Sequence, residues 1–374
     1  MDGTAKIFAE NLRIRRCELK LTQKNLADQL QYSEKSVSKW ESGTAIPPSI
    51  LLPELAEALH TTIDALFDCA DEPLFFLGID GGGTKTAFAL ADRTGTIVRR
   101  TELGSSNPMD VGIEETEAVF AHGIATVCDR ISLRKVSVFA GISGGITGNN
   151  RKAVHDILNR YAFARIENGS DAQSAVALGL GDRDGVAMIS GTGSVAFSQR
   201  DGQTRRFGGF GALFDHGGNG FTIGRDAIIA ALQAEEGSAP STRLHHMLLD
   251  RMNCQSMLEL LPAFYAGGKR KIASYTPLVF DAYKQGDRVA AQILHNNVRC
   301  MAELMETAAK PLLDRKPVNI VLVGGLTHQA EVLRAMLGNY FSDPEAYIVS
   351  FCHEPVVTGA LLLAGMPRYN AEFS

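Results

Sequence analysis

The amino-acid sequence predicts an all-α N-terminal domain followed by a larger α/β domain. Up to Phe67, apolar residues such as Leu26 and Leu30 recur at helical spacing and predict five short helices. Asp71-Glu72-Pro73 then interrupts the pattern, and from Leu74 short apolar runs bounded by glycine alternate with longer helical stretches. Strand, hairpin and helix occur in that order twice, which is typical of mixed sheets covered by helices.

The same patterns place the individual elements of the α/β domain. Apolar runs that end near glycine predict strands at 74–79, 86–91, 96–103, 136–142, 186–190, 195–199, 320–323 and 346–350. Apolar residues three and four positions apart predict helices at 113–129, 172–180, 224–236, 287–313, 329–337 and 356–364. We therefore expect one domain over residues 1–70 and a second over 74–374.

Composition excludes several classes of protein. With 37 Lys and Arg against 42 Asp and Glu, the net charge of −5 argues against a generally basic nucleic-acid coat or a polybasic membrane anchor, although a local basic face is possible. No apolar run approaches a membrane span, and the first ten residues lack a signal-peptide core, which predicts a cytoplasmic protein with no membrane partner. The six cysteines form no CxxC pair, which favours reduced thiols over disulfides or zinc ligands.

Two short helices in the N-terminal domain have the sequence features of a DNA-binding unit. Thr22 and Ser33 are suited to cap them, and a tight turn separates them. In the second helix, Val37 and Trp40 would face the core. The side chains left to face outward, toward base edges and phosphates, are Glu34, Lys35, Ser36, Ser38 and Lys39. Residues 6–40 hold eight basic and four acidic side chains, so positive charge is concentrated there. A small helical protein-binding module is the alternative.

The stretch from about residue 5 to 67 resembles the Cro/C1 (XRE) helix-turn-helix family. The matching residues are Thr22-Gln23, Leu26-Ala27, Ser33 and the run from Ser36 to Glu41, followed by the later leucines and Ile63 to Phe67. The resemblance implies that Gln23 helps to clamp the DNA backbone, and that Glu34, Lys35 and Lys39 read the major groove of an operator. Because the module is only weakly basic, we expect a homodimer on two half-sites.

Three glycine turns in the second domain have the character of phosphate and nucleotide loops. Asp80 ends an apolar strand and could hold hydrated Mg²⁺. The run that follows it offers backbone N–H groups, hydroxyls and an ammonium group to phosphate oxygens, and consists of Gly81, Gly82, Gly83, Thr84, Lys85 and Thr86. The second turn, after another strand, consists of Gly191, Thr192, Gly193 and Ser194, and the third of Gly324 and Gly325. Each turn alone is a tight turn, but three in this order indicate a nucleotide site.

Residues 74–366 resemble the actin/Hsp70/sugar-kinase ATPase superfamily, and within it the BadF/BadG/BcrA/BcrD ATPase group that includes N-acetylglucosamine kinases. The matching motifs are GIDGGGTKT, FAGISGG, ISGTGSVAF, VLVGGL and PVVTGALLLA. The resemblance implies an actin-like ATPase of two RNase H-like lobes that close on Mg-ATP and substrate. Lobe I would cover about 74–170 plus 355–374, and lobe II about 171–354. It also implies that the last helix packs back onto lobe I.

The same resemblance implies a sugar site and a catalytic base. Asp171 matches the aspartate that accepts the proton of the attacking hydroxyl, although a helix cap is an alternative role. The residues that match sugar-contacting positions are Ser106, Asn107, Gly144, Gly145, Gly209, Phe210 and His216, with Asp171 also at the sugar. One departure stands out, because His216-Gly217 replaces the Asp-Glu pair of the kinases and Asp215 lies one place early. The identity of the sugar is therefore left open.

These observations support three functional hypotheses. The first is a transcriptional regulator whose C-terminal domain binds ATP and a sugar or amino sugar, with phosphorylation of that sugar left open. The second is an active N-acetylglucosamine-type kinase with an accessory helix-turn-helix. The third is a ligand sensor without catalysis, which the His216-Gly217 departure favours. The other branch of the group, the activators of acyl-CoA reductases and dehydratases, requires a cysteine-held iron–sulfur cluster, which the scattered cysteines disfavour.

Overall fold

The computed structural model describes residues 3–67, 73–83, 85–215 and 217–368. The helices are α1 (Gly3–Glu18), α2 (Gln23–Gln29), α3 (Glu34–Glu41), α4 (Leu52–Ala58), α5 (Ile63–Phe67), α6 (Pro108–Val127), α7 (Asn150–Leu158), α8 (Asp171–Gly179), α9 (Gly220–Glu236), α10 (Arg243–Met252), α11 (Met257–Ala273), α12 (Thr276–Lys284), α13 (Arg288–Ala309), α14 (Ala330–Leu337) and α15 (Val357–Leu363). The strands are β1 (Phe75–Gly81), β2 (Lys85–Asp92), β3 (Ile97–Gly104), β4 (Val136–Ile142), β5 (Arg165–Gly169), β6 (Gly185–Ser190), β7 (Ser194–Arg200), β8 (Gln203–Gly208), β9 (Val318–Val323) and β10 (Tyr347–Cys352).

The five predicted N-terminal helices, α1 to α5, are confirmed, and they enclose one apolar core. Thr22 caps α2 by accepting from the Asn25 N–H at 3.0 Å, and Ser33 caps α3 by accepting from the Ser36 N–H at 3.1 Å. Val37 and Trp40 are buried in the core as predicted. Gly43 ends the α3 region with a φ of +71°, in the left-handed conformation that favours glycine.

Two five-stranded sheets form the α/β part, and each repeats the same arrangement. The first has the order β3-β2-β1-β4-β5, with an antiparallel meander β1–β2–β3 and two strands parallel to β1. The second has the order β10-β9-β6-β7-β8, with an antiparallel meander β6–β7–β8 and two strands parallel to β6. This repetition confirms the predicted pair of α/β lobes.

The chain divides into two compact units. The first unit comprises residues 1–174 and 356–371, so it combines the N-terminal helices, the first sheet and α15. The second comprises residues 175–355. Helix α15 packs against β1, β2 and β4 of the first sheet, which agrees with the implied return of the last helix to lobe I.

All eight predicted strands and six predicted helices of the α/β part are present, with ends that differ by a few residues. Helix α6 begins at Pro108 rather than at 113, because Asn107 caps it before a kink at Gly112. The sequence did not predict β5, β8, α7 or α10 to α12. The apolar pattern does not identify strands β5 and β8 because they are short and largely polar. Arg165 and Gln203 to Arg206 are exposed to solvent.

Gly78 tests the docking of α15 on β1. A Cβ at this position would lie 2.8 Å from both the Leu361 nitrogen and the Val357 oxygen, which are backbone atoms of α15. Gly78→Ala should therefore force α15 away from the sheet and lower the free energy of unfolding by about 1–3 kcal/mol. Gly104→Ala is the control, because no heavy atom lies within 4 Å of its Cβ position. Denaturant unfolding of both variants measures the difference, and equal stability would contradict this packing.

Candidate functional site

The carboxyl ends of three parallel strands bring two aspartates to one edge of the first sheet. In the register of the sheet, Asp80 on β1 pairs with Gly141 on β4, which pairs with Gly169 on β5. Asp171 follows β5 by two residues and begins α8. Ligands of open α/β sheets bind at such carboxyl ends, so the edge is placed for phosphate and hydroxyl chemistry.

The two aspartates influence each other electrostatically. Burial and the nearby Asp171 carboxylate raise the pKa of Asp80 to about 7, and Lys85 lowers it by a smaller effect. Lys85 itself donates to Glu102 at 2.6 Å, in a pair whose side chains are each 55% exposed. Ser170 and Gln173 cap the start of α8 with reciprocal hydrogen bonds. Asp171 adds one contact at the same helix start, since its Oδ1 accepts from the Ala172 N–H at 3.0 Å.

Divalent cation chemistry fits this edge of the sheet. Mg²⁺ in nucleotide sites is commonly held by one or two carboxylates, with phosphate oxygens and water completing the coordination. A partly buried Asp80 beside a second carboxylate supplies this donor set, and a cation would relieve the repulsion that raises the pKa of Asp80. Among the described residues, no group of three or more His, Cys, Asp or Glu side chains forms an all-protein metal cage.

The first glycine turn is held in place by backbone and hydroxyl contacts. The Gly81 carbonyl accepts from the Ser143 N–H at 2.7 Å, and the Gly82 N–H donates to the Lys85 carbonyl at 2.9 Å. The Ser105 hydroxyl donates to the Gly82 carbonyl at 3.1 Å. Ser105 was not in the predicted site, although it directly precedes Ser106 and Asn107, which were. Thr84 lies outside the described residues.

Thr86 and Ser106, which were predicted to contact phosphate and sugar, have buried side chains. Thr86 and Ser106 are both 0% exposed, and their hydroxyls lie 2.8 Å apart. The Thr86 hydroxyl also reaches the Gly104 carbonyl at 2.8 Å, and the Ser106 carbonyl accepts from Thr116. These groups hold β2 to the segment after β3, so neither is exposed to a phosphate or a sugar.

Asn107 and Gly144, which were predicted to contact sugar, lie together in the first unit. A Cβ on Gly144 would lie 2.4 Å from Asn107 Oδ1, and Gly144 has a φ of +69° that favours glycine. The Asn107 amide donates to Asp110 Oδ2 at 2.7 Å and accepts from the Met109 N–H at 3.0 Å. Asp110 also lies beside the first glycine turn, 3.4 Å from a Cβ built on Gly83. Gly145 follows Gly144 and donates to the Ile142 carbonyl at 2.9 Å. Asp110, which the sequence did not indicate, adds a carboxylate beside Asn107 and Gly144.

The second glycine turn is tied to the start of α9 within the second unit. Gly191 donates to the Gly193 carbonyl at 2.9 Å and closes the hairpin between β6 and β7, with Thr192 at its tip. The N–H groups of Gly220 and Phe221 donate to the carbonyls of Gly191 and Thr192 at 2.8 and 3.0 Å. Hydrogen bonds to the start of α9 therefore hold both carbonyls in place. Ser194 donates to the Gly217 carbonyl at 3.2 Å.

The third turn lies next to the second. Gly324 has a φ of +106°, and a Cβ there would lie 2.7 Å from the Ser190 carbonyl oxygen, so glycine is required at this close approach. Gly325 has no heavy atom within 4 Å of its Cβ position. The open backbone at Gly325 and at Gly191 is suited to a flat base or a phosphate.

Contacts within the loop between β8 and α9 orient Asp215. Phe210 is 69% exposed, and its N–H donates to Asp215 Oδ1 at 2.8 Å. Asp215 Oδ2 lies 4.0 Å from a Cβ built on Gly193, so this acid faces the second glycine turn. Gly209 has a φ of +71° and its carbonyl accepts from Arg206. His216 lies outside the described residues.

Asn297 on α13 organises the segment that follows this loop, and the sequence analysis missed it. Its Oδ1 accepts from the Gly218 N–H at 3.0 Å and from the Thr222 hydroxyl at 2.6 Å. Its Nδ2 donates to Asp226 at 3.2 Å and to the Ile293 carbonyl at 3.0 Å. The side chain is 3% exposed. An asparagine in an amphipathic helix far along the chain carries no local signal for this role.

The helix-turn-helix exposes its predicted DNA-facing side chains. Glu34, Lys35, Ser38 and Lys39 are exposed, Ser36 is half-buried, and the Ser33 hydroxyl is at the cap. Gln23 donates to Glu41 Oε2 at 2.7 Å, and Arg16 of α1 donates to both Glu41 oxygens at 2.5 and 2.9 Å. This buried pair, which the sequence analysis did not identify, fixes the Gln23 amide at the start of α2.

Fold and site together define a two-lobed ATPase of the sugar-kinase class that carries a helix-turn-helix. The chain belongs to the BadF/BadG/BcrA/BcrD ATPase family, whose model matches residues 77–364, and a helix-turn-helix model matches residues 12–66. Members of such ATPase families use ATP. None of the helices in the described ranges combines the length and apolar character needed to cross a bilayer.

The match to this chain extends over nearly the whole length of two relatives with assigned activities. An N-acetylmuramic acid/N-acetylglucosamine kinase of Clostridium acetobutylicum is 29% identical over 300 residues, which is 78% of this chain and 98% of the relative. An N-acetyl-D-glucosamine kinase of Dictyostelium discoideum is 27% identical over 308 residues, covering 77% and 97%. A crystal structure of a candidate N-acetylglucosamine kinase from Chromobacterium violaceum has a TM-score of 0.60 at 22% identity, covering 78% and 99%, and shares the fold.

Asn297 can be tested as the residue that holds the α9 segment. Asn297→Ala leaves the Gly218 N–H and the Thr222 hydroxyl without their buried partner, so the free energy of unfolding should fall by about 2–4 kcal/mol. ATP binding should weaken as well, because α9 holds the second glycine turn. Asn296→Ala, an exposed neighbour on the same helix, is the control. Denaturant unfolding and calorimetry with ATP measure both effects, and an unchanged Asn297→Ala protein would refute the assignment.

Proposed function

We propose that this protein is a transcriptional regulator that binds operator DNA through its helix-turn-helix and senses ATP and an amino sugar through its ATPase domain. One observation supports this most directly. A helix-turn-helix with an exposed recognition helix and a fixed Gln23 is part of the same chain as an ATPase domain that pairs Asp80 with Asp171. Binding of operator DNA and ATP would take place in the cytoplasm.

The proposed ligand chemistry follows from the site residues. Phosphate oxygens would bind along the backbone of the glycine turns at Gly81 to Gly83 and at Gly191 to Gly193, with Mg²⁺ on Asp80 to neutralise charge. The hydroxyls of the sugar would be read by Asn107, whose amide is oriented by Asp110. Amino sugars are the proposed class because two kinases similar in sequence to this chain are named for N-acetylated sugars.

Phosphorylation of the sugar is part of the proposal. The sugar hydroxyl would attack the γ-phosphorus, the bond between that phosphorus and the ADP oxygen would break, and Asp171 would take the hydroxyl proton. Asp171 is suited to this role because Ser170 and Gln173 already cap its helix. A sensor that binds the same ligands without turnover is the second candidate, and the Gly217 substitution favours it.

Asp171→Asn separates the two candidates. If the protein is a kinase, this variant should lose about 10²–10⁴-fold in kcat, because the base can no longer accept the proton, while ATP affinity stays within twofold. A coupled assay over hexoses and amino sugars measures turnover, with Asp129→Asn as an exposed control. Turnover that survives Asp171→Asn would reject the catalytic assignment. Binding of ATP and sugar by the wild type without any turnover would identify a silent sensor.

The recognition helix can be tested on DNA. Lys35→Ala with Lys39→Ala should weaken operator binding and reduce the slope of log affinity against log salt by about 2, since each lysine neutralises one phosphate. The operator is first selected from random duplexes with the wild-type protein, and fluorescence anisotropy at several salt concentrations gives the slope. Lys152→Ala on α7 is the matched control because that side chain is exposed outside the module. An unaltered slope would place the DNA interface elsewhere.

The oligomeric state is part of the same proposal. Because residues 1–70 hold eight Lys and Arg against ten Asp and Glu, with the positive charge confined to residues 6–40, we infer that two copies bind two half-sites as a homodimer. Ligand binding would then change operator affinity through differential affinity for two arrangements of the dimer.

A further inference from the structure

The helix-turn-helix module is packed against the first lobe within the first unit. Arg134, in the short 3-10 helix Leu133–Lys135 just before β4, donates to Asn11 Oδ1 at 3.1 Å and lies 3.6 Å from Glu10. Asn11 is buried, and its Nδ2 donates to the carbonyls of Ala65 and Leu66 in α5 at 3.3 and 3.1 Å. One amide thus connects α1, α5 and the lobe.

A second contact lies about two turns further along α1, at Glu18. The Glu18 side chain is 9% exposed and pairs with Arg15 at 2.9 Å, and the nearby backbone N–H of Ala162 in the lobe lowers the pKa of the Glu18 carboxyl. Arg15 also donates to the carbonyls of Leu59 and His60 at 2.8 and 2.7 Å, which joins this contact to the end of α4. Burial raises the pKa of Glu18, so the carboxylate is largely desolvated where module and lobe meet.

The two surfaces meet closely and are electrostatically matched. The gap between them is a cavity of about 10 Å³, lined from both sides by residues such as Asn11, Glu18, Ser132 and Arg134, and it has room for about one water molecule. Asp64 of α5 attracts Lys135 of the lobe. We call this surface, formed by Asn11, Arg15 and Glu18 against Arg134 and Ala162, the docking joint.

The docking joint leaves the DNA-facing side of the module open. It uses α1 and α5, whereas Glu34, Lys35, Ser38 and Lys39 of α3 are exposed to solvent. The chain also enters the lobe beside the joint, because the Leu74 N–H donates to the Lys135 carbonyl at 2.8 Å.

The joint is connected to the ligand site by one buried strand. Arg134 and Lys135 lead directly into β4, whose seven residues are all buried. The far end of β4 holds Gly141 next to Asp80, and the Ser143 N–H that follows it donates to the Gly81 carbonyl. A seven-residue strand spans about 23 Å, so the joint and the site lie at opposite ends of a rigid element.

We propose that the first lobe carries a docking site for the helix-turn-helix module of the same chain, and that the docked module moves with the lobe as one body. Ligand-driven movement of the lobe then repositions α3 and changes operator affinity. This inference rests on the proposed regulatory function.

Arg134→Glu tests the joint in the full-length protein. The reversed charge faces Glu10 and the desolvated Glu18, so the module should undock. Arg130→Glu is the control, since Arg130 is exposed and its ion pair is the adjacent Asp129 at 3.9 Å. Hydrogen exchange should rise at least tenfold in peptides covering α1 and Ala162 in Arg134→Glu but not in Arg130→Glu. Exchange that is equal in both variants would overturn the docking.

Operator binding tests the coupling. The ratio of Kd values without and with ATP plus N-acetylglucosamine should differ from 1 in the wild type and in Arg130→Glu, and should return to within twofold of 1 in Arg134→Glu. Calorimetry should find ATP and sugar affinity unchanged in both variants, since Arg134 lies far from the site. A wild-type ratio that persists in an undocked Arg134→Glu protein overturns the coupling and leaves the regulatory function intact. A wild-type ratio of 1 overturns the regulatory function and the coupling, while the exchange experiment still decides the docking.

Discussion

The parallel pairing of β1, β4 and β5 is the constraint on which the rest of the first unit depends. The pairing aligns Asp80, Gly141 and Gly169, so that the first glycine turn and Asp171 emerge at the same edge. Small residues are required at this edge, because a Cβ on Gly141 would lie 2.2 Å from the Ser174 hydroxyl of α8. Close approach of α8 therefore holds Asp171 near Asp80, and that proximity contributes to the raised pKa of Asp80.

Glycines have two structural roles in this protein, and the sequence alone does not separate them. Gly191 and Gly325 leave open backbone at candidate nucleotide turns. Gly224, in contrast, lets α9 approach α11, because a Cβ there would lie 2.1 Å from the Ile272 carbonyl oxygen. Gly123 makes room for the Phe88 ring between α6 and β2 in the same way. The glycine excess therefore reflects tight helix packing as well as ligand loops.

What could be predicted from the sequence depended on local periodicity. Apolar repeats identified the five N-terminal helices and the buried strands, and motif order identified the two lobes. Side-chain direction was predicted less well: Thr86 belongs to a loop motif in sequence, yet it follows the alternation of β2 and faces the core beside Ser106. Asn297 and Asp110 could not be found, because each acts through contacts that local spacing does not encode.

The backbone of the second unit favours glycine at position 217, where the family resemblance implies an acidic residue. Gly217 has a φ of +141°, which favours glycine, and a Cβ there would lie 3.1 Å from Cys300 Sγ and 3.3 Å from Asn297 Oδ1. A glutamate at 217 would strain this backbone conformation, and the neighbouring side chains of α13 would have to shift by a few tenths of an ångström. The loop instead presents Asp215 toward Gly193, so its remaining negative charge lies beside the second glycine turn. The backbone conformation at 217 therefore favours glycine over an acidic residue in this chain.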